Sequence, residues 1–288
     1  MKWRGNRESS NVEMGSSGRG GGGGLKMGFT GIIIVVVLGL IMGKNPLEML
    51  GMVSQMQEQA PATPNTPADP NAPVSEEQQF SKVVLASTED VWGKIFQANN
   101  QQYPAPTMVL FSGSVQSACG GATSASGPFY CPGDQKIYLD TQFFDEMKNK
   151  LGGGGDFAQA YVIAHEVGHH IQTITGTSDQ VNQVRAKGGQ VEGDGGLLVR
   201  QELQADCYAG LWAHYAQQEK QWMEPGDMES AIRTAQAIGD DTLQRQSQGS
   251  VVPDAFSHGT AEQRMAWFTR GFESGNINQC DTFNATNL

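Results

Sequence analysis

Residues 161–172 read Y-V-I-A-H-E-V-G-H-H-I-Q, and no other stretch constrains the fold as tightly. Three of the chain's five histidines and one glutamate fall within six residues of an otherwise apolar run. An α-helix turns once in about 3.6 residues, so His165 and His169 leave it on one face and Glu166 is offset by about a hundred degrees. Val162, Ile163, Val167 and Ile171 would seat such a helix in a core. A core accepts that much ionisable side chain only when the groups share a partner. H-E-x-x-H supplies one: an i, i+4 imidazole pair clamps zinc, and the glutamate takes a proton from water beside the ion. His170 reads as a satisfied core histidine or a support for a ligand.

A catalytic zinc site needs a third protein ligand and an open fourth position. The extended pattern H-E-x-x-H-x-x-G-x-x-H fails, because Gln172 and Thr175 stand at its glycine and last histidine. Residues 201–210, Q-E-L-Q-A-D-C-Y-A-G, put Glu202 and Asp206 four apart on a helix face among Leu203, Ala205, Cys207, Leu211 and Trp212. Glu202 is the expected third ligand, and Asp206 the group that orients a ligand histidine through its outer N–H. Two solvated helix charges are the plainer reading. Residues 257–264, S-H-G-T-A-E-Q-R, place His258 just before a helix and Arg264 inside it. Either can donate to an oxyanion formed from a peptide carbonyl. Spacing equally allows His258 to sit idle and Arg264 to pair with Glu262 or Asp254.

A chain of 288 residues can hold one sizeable domain with accessories. Periodicity predicts helices over 80–99, 143–151, 157–173, 197–218, 227–246 and 260–272, with strands over 107–111 and 136–139. A small sheet followed by several helices is an α+β domain. Gly20 to Gly24 and Gly152 to Gly155 lack the strand–turn–helix context of a phosphate loop and read as links. The glycine-rich segment 188–196 reads as a mobile lid or as a passive loop.

Upstream of the domain, residues 27–43 are seventeen residues without a charge, at the lower limit for a bilayer-spanning helix. No small-x-small cleavage pattern follows, so they read as an uncleaved signal anchor. The basic excess of residues 1–26 (Lys2, Arg4, Arg7, Arg19 and Lys26 against Glu8 and Glu13) then places a leader in the cytoplasm. A proline- and glutamine-rich linker over 44–79 leads to a domain over 80–288 in the periplasm or outside the cell. The whole chain carries a formal charge of −11, and the body beyond the basic leader is more acidic still. Such a body repels phosphate backbones, which excludes nucleic acid as a partner. Nothing in the sequence sets an oligomeric state.

Four cysteines suit two disulfides in an oxidising compartment. Cys119 and Cys131 bracket a loop without a core of its own, and Cys280 can staple the C-terminal region to the Glu202 helix through Cys207. No C-x-x-C pair exists for a zinc finger.

H-E-V-G-H-H-I-Q, E-L-Q-A-D-C-Y-A-G, G-P-F-Y-C-P-G-D-Q-K-I-Y-L-D, A-I-G-D-D and H-G-T-A-E-Q-R with W-F-T-R-G-F resemble the bacterial neutral zinc metallopeptidase family. The start, K-W-R-G-N-R-E-S-S-N-V-E, resembles that family's leader. The resemblance covers almost the whole chain. It implies a membrane-anchored, zincin-like domain of the gluzincin type, one Zn2+ per chain and a peptide or protein substrate. A more distant similarity links the chain to membrane-associated gluzincins of the prenyl-peptide endopeptidase type, through His165, Glu166 and His169, then Glu202 and Asp206, then His258 and Arg264. Gly259 departs from the proline of those relatives. In gluzincins an extended substrate pairs with an edge strand above the metal, for which Ile137, Tyr138 and Leu139 are the candidates here. The same residues fit an ordinary core strand. The expected activity is zinc-dependent peptide hydrolysis; a zinc-stabilised envelope binding or chaperone-like module without turnover is the alternative.

Overall fold

The computed structural model describes residues 1–15, 74–123, 126–144 and 155–288. Two short sheets and seven α-helices form these parts, the mixed α+β architecture that the sequence predicts. Among the described residues no helix is long and apolar enough to cross a membrane. The expected anchor over 27–43, and most of the expected helix over 143–151, lie outside them.

The main sheet contains β1 (Val12–Met14), β2 (Thr107–Phe111), β5 (Phe129–Cys131) and β6 (Lys136–Asp140) in the order β1-β2-β6-β5. β1 and β6 both run parallel to β2, and β5 runs antiparallel to β6. Side chains alternate across a strand. Met108, Leu110, Ile137 and Leu139 therefore enter the main core under the helices, while Val109, Phe111 and Tyr138 form a second cluster with Val115 and Cys131. Val115 belongs to the hairpin of β3 (Ser114–Ser117) and β4 (Gly120–Thr123). The Cys119–Cys131 disulfide ties this hairpin to β5.

α1 (Glu76–Ala98) begins at a capping box between Ser75 and Gln78, so this helix starts four residues before Phe80. Its apolar face buries Phe80, Val84, Trp92 and Phe96. α2 (Asp156–Ile174), α3 (Ser178–Ala186) and α4 (Leu197–Lys220) follow. The single helix expected over 227–246 is two, α5 (Asp227–Ala237) and α6 (Asp240–Gln248). Gly239 separates them: a Cβ there would collide with the backbone of Ala261, which opens α7 (Ala261–Ser274).

Glycines also set how closely the site helices approach. A Cβ on Gly168 of α2 would lie 3.0 Å from the Ala205 Cα of α4. Cβ atoms on Gly210 of α4 and Gly271 of α7 would collide with the carbonyl oxygens of Phe268 and Cys207 respectively. The Cys207–Cys280 bridge fastens the C-terminal segment to α4, as the sequence predicts.

Residues 1–15, from the segment expected as a leader, pack against the helices and the main sheet. Trp3 is 2% exposed, its ring meets Phe80 edge-on, and its Nε1 donates to Asp156 Oδ2 at 2.8 Å at the start of α2. The Met1 ammonium pairs with Glu224 at 2.8 Å and Asp227 at 3.2 Å. Val12, Glu13 and Met14 stand opposite Met108, Val109 and Leu110.

Candidate metal centre

α2 and α4 cross where Gly168 meets Ala205, which brings the His165 and His169 face of one against the Glu202 face of the other. Glu202 Oε2 lies 3.1 Å from His165 Nε2 and 3.5 Å from His169 Nε2. All three donor atoms fall within 4.8 Å of one another. Zinc held at about 2.0–2.1 Å by tetrahedral donors needs them about 3.3 Å apart, a spacing that the Glu202 oxygen keeps from both nitrogens here.

Each imidazole is fixed from behind, which leaves its Nε2 for a metal. His165 Nδ1 lies 2.8 Å from Asp206 Oδ1. Asp206 is fully buried and also accepts from Tyr161 Oη at 2.5 Å, Arg264 Nε at 2.9 Å and Arg264 Nη2 at 3.1 Å. Burial alone would raise the Asp206 pKa, but Arg264 and His165 outweigh it and hold it at about 2. His169 Nδ1 meets Gln172 Oε1 at 2.9 Å. The Gln172 amide donates to Gln201 O at 2.7 Å and Gln204 Oε1 at 3.0 Å, and Gln204 donates to Cys280 O at 3.0 Å. A charged carboxylate therefore supports one histidine and a chain of neutral amides the other. Burial opposes the charge on His165, yet Asp206 and Glu202 lift its pKa to about 10 in the metal-free site. Burial likewise works against ionised Glu202, but His169 and His165 hold its pKa well below the carboxylate range.

Glu166 is 8% exposed beside these groups. Burial raises its pKa, against the opposing pull of His169 and His165, and the Tyr130 backbone of β5 hydrogen-bonds its carboxylate. This is the setting of a proton acceptor poised towards neutral pH.

Two expectations need correction, and one open alternative narrows. Arg264 is 3% exposed, and its guanidinium is spent on Asp206 and Tyr161, so it acts behind His165 and faces no oxyanion. Neither Glu262 nor Asp254 is its partner. Ile137, Tyr138 and Leu139 lie in β6, which is flanked by β2 and β5 and has no free edge. β5 is the edge strand near Glu166. The glycine-rich segment 188–196 is pinned by Gly193 N to Phe256 O at 2.8 Å and Asp194 N to Pro253 O at 2.9 Å, which favours the passive loop.

His258 stands outside the ligand trio; burial lowers its pKa, but Asp240 and then Glu202 raise it above the ordinary value, and it in turn lowers that of Glu202. Its Nδ1 lies 3.3 Å from Asp240 Oδ1, and Asp240 Oδ2 accepts the backbone N–H groups of Ser257, His258 and Gly259. Asp240 thus fixes this loop, a role that A-I-G-D-D alone did not announce. Gln172 was more findable, since an amide three residues beyond His169 shares its helix face. His170 is a core histidine, bonded to Tyr130 Oη at 3.2 Å and Pro104 O at 2.6 Å.

Residues 1–283 match the family described as "Putative neutral zinc metallopeptidase". The chain belongs to that family. It is 46% identical over 294 residues to Uncharacterized protein YpfJ of Escherichia coli (strain K12), which covers 98% of this chain and 99% of that protein. Uncharacterized protein Rv2575 of Mycobacterium tuberculosis (strain ATCC 25618 / H37Rv) is 43% identical over 212 residues, 70% of this chain and 69% of that protein. No solved structure matches.

Proposed function

We propose that this family member is a zinc-dependent endopeptidase of zincin-like, gluzincin type. The observation that carries the reading is the convergence of His165, His169 and Glu202 donor atoms within 4.8 Å, with Glu166 buried alongside. One Zn2+ per chain bound there would polarise a substrate carbonyl and acidify water. The protein's own groups do the rest. An extended peptide lies beside β5, the edge strand among the described residues, which brings it over the Glu166 carboxylate. Glu166 takes a proton from the attacking water and delivers it to the leaving amine. His258, anchored through Nδ1 by Asp240, has Nε2 left to donate to the carbonyl oxygen as negative charge grows there. Asp206 and Gln172 keep both ligand rings in the tautomer the site requires. The Cys119–Cys131 and Cys207–Cys280 disulfides support placement in an oxidising compartment such as the periplasm.

Glu166→Gln tests this reading. Zinc content should stay at one per chain, while cleavage in a proteome-derived peptide screen falls by about 10²–10⁴-fold. Undiminished cleavage by the variant, or none by the wild type loaded with zinc, would defeat the assignment.

A further inference from the structure

We propose that residues 1–15 and the metal-site domain lie on the same side of any membrane. This goes beyond the peptidase reading and does not depend on it.

The N-terminal segment is built into the domain along its whole described length. Met1 pairs with Glu224 and Asp227, Lys2 N donates to Trp222 O at 2.8 Å, and Trp3 fills a slot between Phe80 and Asp156. Ser9 N donates to Lys82 O at 3.0 Å, and β1 then completes the sheet beside β2, with Met108 N donating to Asn11 O at 2.8 Å. These contacts reach α1, α2, β2 and the turn before α5, so the segment touches several parts of one body.

One crossing between residues 15 and 74 would hold those partners on opposite faces of a hydrocarbon layer about 30 Å thick. Strand pairing requires about 4.8 Å. The two cannot coexist, and the number of crossings must be even. Each helical crossing takes about 20 apolar residues. The uncharged run over 27–43 has only seventeen, which is too few for two crossings. The charges that argued for a cytoplasmic leader also have work elsewhere: Arg7 pairs with Glu89 at 3.0 Å and Asp90 at 2.7 Å, and Arg4 pairs with Glu76.

The test uses the full chain with single cysteines at two exposed positions, Arg4→Cys and Lys187→Cys, in spheroplasts treated with a membrane-impermeant maleimide before or after lysis. Arg4 has a side-chain exposure of 69%; the change removes a surface ion pair, which contributes little, and a cation–π contact 4.7 Å from the Trp3 ring centre. Both cysteines should label in the same condition. Labelling of one before lysis and the other only after it would overturn the proposal. A second measurement reads docking directly: Arg7→Cys with Asp90→Cys, a short bis-maleimide, and a protease site inserted within residues 61–73. The two fragments should remain joined after cleavage. Full separation, with both cysteines capped singly, would equally overturn it.

Discussion

The two ends of the main sheet are held by different physics. Beyond the β5 edge, the metal centre is a net of buried side chains in which each polar group depends on the next: Tyr161 and Arg264 on Asp206, Asp206 on His165, Gln204 on Gln172, Gln172 on His169. At the β1 edge, the N-terminal segment is held by main-chain pairing, one buried indole and several exposed ion pairs. A net concentrates geometry at one point and fails when a node is lost. A seam spreads its contacts and loses stability without losing position.

Asp206→Asn should separate the two ends most sharply. It removes the charge that neutralises buried Arg264, a loss of about 3–5 kcal/mol. It also removes the support of His165, which should weaken zinc binding about 10–100-fold. Chemical denaturation and chelator competition read the two effects, and a variant with wild-type zinc affinity would show that the net is not one. Trp3→Ala empties a large buried slot at the other end, at a cost of about 3–5 kcal/mol. Its zinc affinity, measured on folded protein, should equal that of the wild type; a tenfold loss would erase the distinction between the regions. Gln172→Leu cuts the neutral branch of the net, and the expected change is about tenfold in zinc affinity, the lower end for an outer partner. A larger loss than that of Asp206→Asn would reverse the ranking of the two branches.

The smallest effect is in pH. Asp206, held at about 2, contributes stability that is present above the ordinary carboxylate pKa near 3.9 and is lost as pH falls towards about 2. His165, lifted to about 10, contributes stability that is full below about 6.5 and is lost as pH rises through about 10. Metal-free protein should therefore be most stable between about pH 4 and pH 6.5 as far as this pair decides, with a flatter Tm profile in Asp206→Asn. Zinc affinity should climb as pH rises from about 6.5 towards about 9, since the ligand rings must surrender protons to bind. An affinity that falls between about pH 6.5 and pH 9 would contradict the metal-free charge states.

The metal trio was legible because residue type and helical spacing both speak for it: His165, His169 and Glu202 needed only two helices to cross. Asp206 was legible for the same reason. Arg264 was misjudged because spacing places a helix residue but not the tip of a long side chain, whose partner sits 58 residues away in sequence. The edge of the sheet was misassigned because β5 has three residues, too few for an alternating pattern to show. The docking of residues 1–15 left no periodic trace at all. Met1 and Trp3 are isolated apolar residues among polar ones, and the groups they meet lie in α1, α2 and the turn leading into α5, far along the chain.

Gly168, Gly210 and Gly271 carry a consequence for how this protein tolerates change. They have no chemistry, yet each fixes the spacing of a helix that presents a working group. Metal coordination tolerates an error of about 0.2 Å, whereas a methyl at Gly210 or Gly271 would sit 2.0 Å from a carbonyl oxygen of the facing helix, and one at Gly168 would push Ala205 by a few tenths of an ångström. Alanine at these three positions should thus mimic a lost ligand, and a mutational survey would map the centre's true outline onto places where no polar atom stands.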